Sequence, residues 1–160
     1  GTFGSSLYAD GARYSATERL WRTLSNVDAP SARGGHAAVW TGTRMLVAGG
    51  WQEGNEGATY DPKTDHWEPT TLVQAPEARG NSSAVWTGTR LVQWGGSHAG
   101  TPLYTGATYD PSSGQWQATL VPRAPAARYN HSGTWIDTGA FFWGGDSGQG
   151  LLASGGIYVP

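Results

Sequence analysis

A chain of 160 residues is long enough for one domain, and its net charge of −2 gives no overall basic field to attract nucleic acid. The absence of cysteine excludes disulfides, thiolate metal sites and thiol nucleophiles, and no apolar run approaches the roughly 20 residues that a membrane-spanning helix needs. With 25 glycines, 9 tryptophans and only 14% charged residues, the composition suits short strands, tight turns and large flat side chains held between layers.

In chain order the first recognisable element is GARYSATERLW at 11–21, a loose copy of a pattern that becomes clearer downstream. HAAVWTGTRMLVAGG at 36–50 then predicts two strands, HAAVW and RMLVA, joined by Thr41-Gly42-Thr43 and ended by Gly49 and Gly50. Gly42 suits the positive φ that short hairpin loops demand, and paired glycines let the backbone turn sharply or lie against a ring from a neighbouring layer. GATYDPKTDHW at 57–67 predicts a third strand, a turn at Asp61-Pro62-Lys63-Thr64, and a fourth strand carrying Trp67. The whole pattern returns. SSAVWTGTRLVQWGG occupies 82–96 and GATYDPSSGQW occupies 106–116; HSGTWIDTGAFFWGG follows at 131–145, and GGIYVP closes the chain at 155–160. The strand pairs thus recur 46 and then 49 residues apart, and a Pro and Arg element precedes each: APSARGG with Arg33, APEARGN with Arg79 and APAARYN with Arg128. Trp21, Trp67 and Trp116 share one slot, where a wedge buried between consecutive sheets is expected, each ring removing roughly 200 Å² from water.

Gly49/Gly50 followed by Tyr60 and Trp67, and Gly95/Gly96 followed by Tyr109 and Trp116, resemble the kelch repeat, and Gly144/Gly145 with Tyr158 match it in part. The resemblance implies an all-β fold, a portion of a kelch-type β-propeller with about three four-stranded blades. Residues 1–24 would give the third and fourth strands of one blade, 25–71 and 72–120 a full repeat each, and 121–160 the first three strands of a last blade. Three sheets cannot close a ring that needs roughly 4 to 8. Completion by a second copy, a place in a longer array, and open head-to-tail polymerisation all remain, with a six-bladed ring and the array favoured. Strands like AVWTGTRLVQWGG also resemble those of bacterial extracellular kelch proteins, which implies a secreted or cell-surface origin.

The same resemblance puts the segment before each first strand at a channel mouth. There Arg33, Arg79 and Arg128 are expected to form a positive collar for acidic peptides or small acidic ligands, with Asn81, Tyr129, Asn130 and His131 as polar neighbours. The alternative is that each arginine braces a loop by bonding carbonyls or an acid such as Glu77. Asn81-Ser82-Ser83 and Asn130-His131-Ser132 are also N-glycosylation triplets. His36 and His131 lack the convergent partners a metal needs. GGDSGQG at 144–150 is similar to the segment around a trypsin-like nucleophile but lacks its closing glycines and reads as a turn. No nucleophile with its base, no carboxylate pair and no phosphate loop is recognisable. The expected role is therefore a noncatalytic binding or assembly module without cofactor, and without nucleic-acid or membrane partners. Self-association is the partner expected first, ahead of an acidic ligand. The alternatives are a subunit that polymerises by sharing strands and a fragment of an enzyme whose catalytic residues lie elsewhere.

Overall fold

The computed structural model describes residues 6–51 and 55–160. The start of the first repeat-like segment, residues 1–5, and residues 52–54 of the loop WQEGNE lie outside the described residues. Among the described residues the protein is all-β, built of antiparallel sheets of two to four strands, none of which closes on itself.

Strands β1 (Ala12–Ser15) and β2 (Leu20–Thr23) form a two-stranded sheet. β3 (Ala37–Trp40), β4 (Met45–Ala48), β5 (Ala58–Asp61) and β6 (His66–Pro69) follow as a four-stranded meander in chain order. β7 (Ser83–Trp86) and β8 (Leu91–Trp94) begin the next sheet. A small hairpin of β9 (Ser97–His98) and β10 (Thr101–Pro102) then intervenes before β11 (Gly106–Asp110) and β12 (Gln115–Ala118) complete it. β13 (Ser132–Ile136), β14 (Gly139–Trp143) and β15 (Gly155–Tyr158) make the last, three-stranded sheet.

Local chemistry accounts for each reversal. In the β3–β4 hairpin Gly42 adopts φ 99°, Thr41 and Arg44 close the loop through Thr41 N–H to the Arg44 carbonyl at 2.9 Å, and the Thr41 hydroxyl accepts the Arg44 N–H at 3.0 Å. Gly88 repeats this at φ 100° between β7 and β8. In the β5–β6 turn the Asp61 carboxylate accepts the Lys63 N–H at 2.9 Å, and Asp110 accepts the Ser112 N–H at the same distance in the β11–β12 turn. Tyr then sits directly opposite Trp in three sheets, Tyr14–Trp21, Tyr60–Trp67 and Tyr109–Trp116, with ring centroids 5.2, 5.0 and 4.9 Å apart. Each is a cross-strand pair of the kind that pins register.

The core lies between sheets, so the sheets pack face to face in sequence. Val39, Leu46 and Ala48 of the first four-stranded sheet meet Leu91, Ala107, Tyr109 and Trp116 of the second. Val85, Val92 and Trp94 of that second sheet meet Ala140 and Phe142 of the last. The first strands also lie side by side, β3 next to β7 and β7 next to β13. The aromatic slot works as a wedge only where a sheet precedes it. The Trp67 indole donates to the Ser25 carbonyl at 2.9 Å and that of Trp116 to the Thr71 carbonyl at 3.1 Å, each acceptor lying just past the last strand of the preceding sheet. Trp21 departs from the expectation: with no sheet before β1 and β2 among the described residues, it is 69% exposed, against 2% for Trp116. Trp116→Ala should therefore lower unfolding free energy by about 3–5 kcal/mol, whereas Trp21→Ala should change it by less than about 1 kcal/mol. Urea melts of the two variants under one set of conditions check this contrast.

Candidate functional site

The three arginines occupy one structural position, but they do not form a collar facing solvent. Arg79 and Arg128 are 2% and 1% exposed, and Arg33 is half-buried. Each guanidinium spreads over the same three places. Nε donates to the carbonyl two residues back: Ser31, Glu77 or Ala126. One terminal nitrogen bridges the carbonyl of the first glycine in the pair, always sixteen residues on, to a carbonyl just before the third strand. These acceptors are Gly49 with Glu56, Gly95 with Thr105, and Gly144 with Ser154. The other terminal nitrogen finds a side-chain oxygen: the Ser31 hydroxyl and Glu56 carboxylate, the Thr105 hydroxyl, or the Ser154 hydroxyl. Burial lowers the pKa of all three, offset at Arg33 by Glu56 and at Arg79 by Glu77. These donors saturate backbone acceptors inside the loops, which is the bracing alternative rather than ligand capture.

Asn81 and Asn130 stand where the first unit has Gly35, and all three adopt left-handed backbone, φ 54°, 55° and 63°. The recurrent Gly or Asn is explained by that conformation, which these residues tolerate best. From this position the Asn81 N–H donates to the Gly35 carbonyl at 2.8 Å and the Asn130 N–H to the Asn81 carbonyl at 3.0 Å, so the segment stitches each unit to the one before. A second stitch runs the other way. Gly50 donates its N–H to the Arg79 carbonyl and Gly96 its N–H to the Arg128 carbonyl, both at 2.8 Å. The glycine pair is needed here, because a Cβ on Gly96 would come within 2.7 Å of the Gly80 carbonyl oxygen.

His131 is a core residue rather than a recognition group. It is 6% exposed, packs edge-on against Trp94 and Phe142 at 5.1 and 5.7 Å between centroids, and neither ring nitrogen has a hydrogen-bond partner among the described residues. Burial first, and then the charge of Arg128, pushes its pKa down to about 4, so it is neutral at pH 7. His36, at the corresponding position, is exposed; burial of its ring and the nearby Arg33 charge lower its pKa as well.

Tyr129 is brought together with Asn81 and Arg79 at the edge of a groove of about 690 Å³ whose other walls are Trp51, Ser97 and His98. Trp51, 47% exposed, lies against Gly80, where a Cβ would strike its ring. His98 is oriented by a bond between Nδ1 and the Ala78 carbonyl at 2.9 Å. The groove therefore presents an aromatic face and small polar groups, with the arginine charge already consumed behind it. Trp51 and His98 belong to the loops WQEGNE and SHAGTPLYT that follow the glycine pairs, the stretches that differ most between units and where a binding surface on a rigid scaffold is expected. The end of the GGDSGQG run is a hairpin tip, bridged between Asp146 and Leu151 and closed by the Ser147 N–H on the Gly150 carbonyl at 3.0 Å. Among the described residues no group of three or more His, Asp or Glu side chains is placed to hold a metal, and no helix is long and apolar enough to cross a membrane.

Neither a family model nor a curated protein matches this chain.

Proposed function

We propose that the chain is a portion of a kelch-type β-propeller and acts as a noncatalytic assembly module, completed by further units of its own kind. The single observation that supports this is the repeated pair of stitches between successive units, together with the apolar side chains that lie open on the last sheet among the described residues. Trp94 and Trp143 both precede a glycine pair; Trp94 is 4% exposed under the last sheet, while Trp143 is 50% exposed. Open apolar faces of this kind mark association surfaces. Recognition of a partner segment belongs, in this reading, to the Trp51–Tyr129 groove and not to an arginine collar. Sedimentation equilibrium tests the assembly role. A species of twice 16.9 kDa, or a defined multiple of it, is expected; a monomer at all concentrations up to the solubility limit would refute it.

A further inference from the structure

The groove bearing Trp51 is shaped by where glycine stands in one recurring slot. Gly34, Gly80 and Tyr129 each follow a bracing arginine, and each pairs with the residue after a glycine pair: Trp51, Ser97 and Asp146. The Trp51 N–H donates to the Gly34 carbonyl at 2.7 Å, while Gly80 and Ser97 exchange bonds of 3.0 and 2.8 Å. The walls thus stand on paired backbone, which leaves a ligand little ordering to impose. Glycine also makes room for the indole. Cβ atoms on Gly34 and Gly35 would lie 3.1 Å from its Cε3 and 3.0 Å from its Cε2, and a Cβ on Gly80 would strike its Cδ1 and Nε1. The third unit has Tyr129 in this slot, so a second aromatic ring lines the groove one unit further on.

The lining is neutral and able to hydrogen-bond in both directions. Arg79 is the one charged residue among the described lining residues, and its guanidinium is spent on three carbonyls and the Thr105 hydroxyl. His98 Nδ1 faces the Ala78 carbonyl, which can only accept; Nδ1 therefore carries the proton, and the neutral ring presents Nε2 as an acceptor. The Asn81 amide oxygen lies 2.7 Å from the place of a Gly35 Cβ, the spot it shares with the Trp51 ring, so the carboxamide sits beside the indole. The carboxamide and the hydroxyls of Ser97 and Tyr129 each donate and accept.

A fitting ligand has an apolar face for the indole and a rim of groups that both donate and accept. A pyranose ring has both, because its axial C–H bonds make an apolar face and its hydroxyls work in either direction. A proline-rich segment also lies on aromatic rings, but it brings carbonyl acceptors almost alone and leaves His98 Nε2 without a donor. An acidic ligand finds no free positive charge.

We propose that the Trp51–Tyr129 groove binds a neutral oligosaccharide, with one pyranose ring lying on Trp51 and its hydroxyls meeting Asn81, Ser97, His98 and Tyr129. This rests on the assignment of recognition to this groove and names what is recognised; it does not depend on assembly. The groove volume of about 690 Å³ falls within the roughly 300–1,000 Å³ of small-ligand sites, room for a short oligosaccharide.

Saturation-transfer NMR tests this, since it reads weak binding whatever the size of the assembly. The probes are cellotriose, mannotriose, galactotriose and triacetylchitotriose, with decaproline in parallel. At least one trisaccharide should receive saturation, strongest at the C–H protons of one ring. Trp51→Ala should weaken its binding about tenfold or more. His98→Ala and Tyr129→Phe, which keeps the ring and removes the hydroxyl, should each weaken it about threefold to tenfold. Trp21→Ala, which removes an indole that is 69% exposed but far along the chain from the groove, should leave the affinity unchanged. Equal affinity in Trp51→Ala and the parent, both folded by circular dichroism, would overturn the proposal, as would the failure of all four trisaccharides to bind. Decaproline binding that is lost in Trp51→Ala, with no trisaccharide bound, would overturn the sugar and keep the groove as the recognition site. Silence from every probe would remove recognition from the groove as well, while the assembly role stands or falls on sedimentation alone.

Discussion

Replacing Arg79 with Met is expected to destabilise the protein by about 3–5 kcal/mol, enough to remove much of the stability of a domain this size. The methionine fills similar space, so the loss is not one of volume. It arises because the carbonyls of Glu77, Gly95 and Thr105 and the Thr105 hydroxyl lose their donor, the Gly95 bond being buried and the others part-buried. Each acceptor stranded in this way costs about 1–3 kcal/mol. Charge reversal to Glu should be worse, since it would bring a carboxylate among those oxygens. Arg33→Met should cost distinctly less, because the bonds of Arg33 to Ser31 and Glu56 lie at the surface, where water can substitute. Denaturant unfolding of the three variants gives the ranking; equal and small effects would mean that the guanidiniums do not brace the loops.

The second large effect is an acid sensitivity centred on His131. Its folded pKa is about 4 against an ordinary 6.5, so between those values the unfolded chain takes up a proton that the folded chain excludes. Stability is thus fully present above pH 6.5 and falls as pH drops from 6.5 to about 4, by on the order of 3 kcal/mol, and the contribution of this group is level below that. His131→Phe keeps a ring against Trp94 and Phe142 and removes the titration. Urea midpoints of parent and variant from pH 7 to pH 4 should converge or cross as the parent loses the additional stability tied to His131, while His36 acts equally in both; parallel curves would contradict the assignment. Carboxylates such as Asp110, whose pKa is lowered by the Ser112 hydroxyl and N–H, act at lower pH and equally in both proteins.

Most of the strand pattern was legible in the sequence because its causes are local. The Thr-Gly-Thr loop, the Asp-Pro turn and the Tyr and Trp spacing each act within about ten residues, and β3 to β6 and β7, β8, β11 and β12 lie where those signals put them. The arginines were harder, because burial is decided by what arrives from elsewhere in the chain. A charged residue in a polar segment reads as a surface group. Yet a signal was present: Arg33, Arg79 and Arg128 each stand sixteen residues before the first glycine of a pair, while the loops that follow the pairs change length. A constant spacing across variable surroundings points to a bond between its two ends. Asn81 and Asn130 carried a similar signal in sharing their place with Gly35, since a slot that takes only Gly or Asn is a left-handed one. Nothing local distinguished His131 from His36. The first is buried because β13 follows a sheet bearing Trp94, and the second is exposed because no inner strand precedes β3 among the described residues. The β9–β10 hairpin was equally hidden, two-residue strands being too short to show any alternation.

The central claim is that successive units are joined by one recurring junction of paired backbone bonds. Amide hydrogen exchange at single-residue resolution tests it most directly. Gly50, Asn81, Gly96 and Asn130 should exchange slowly at every concentration. Rapid exchange at these four, matching that of the exposed hairpin loops at Gly42 and Gly88, would contradict it.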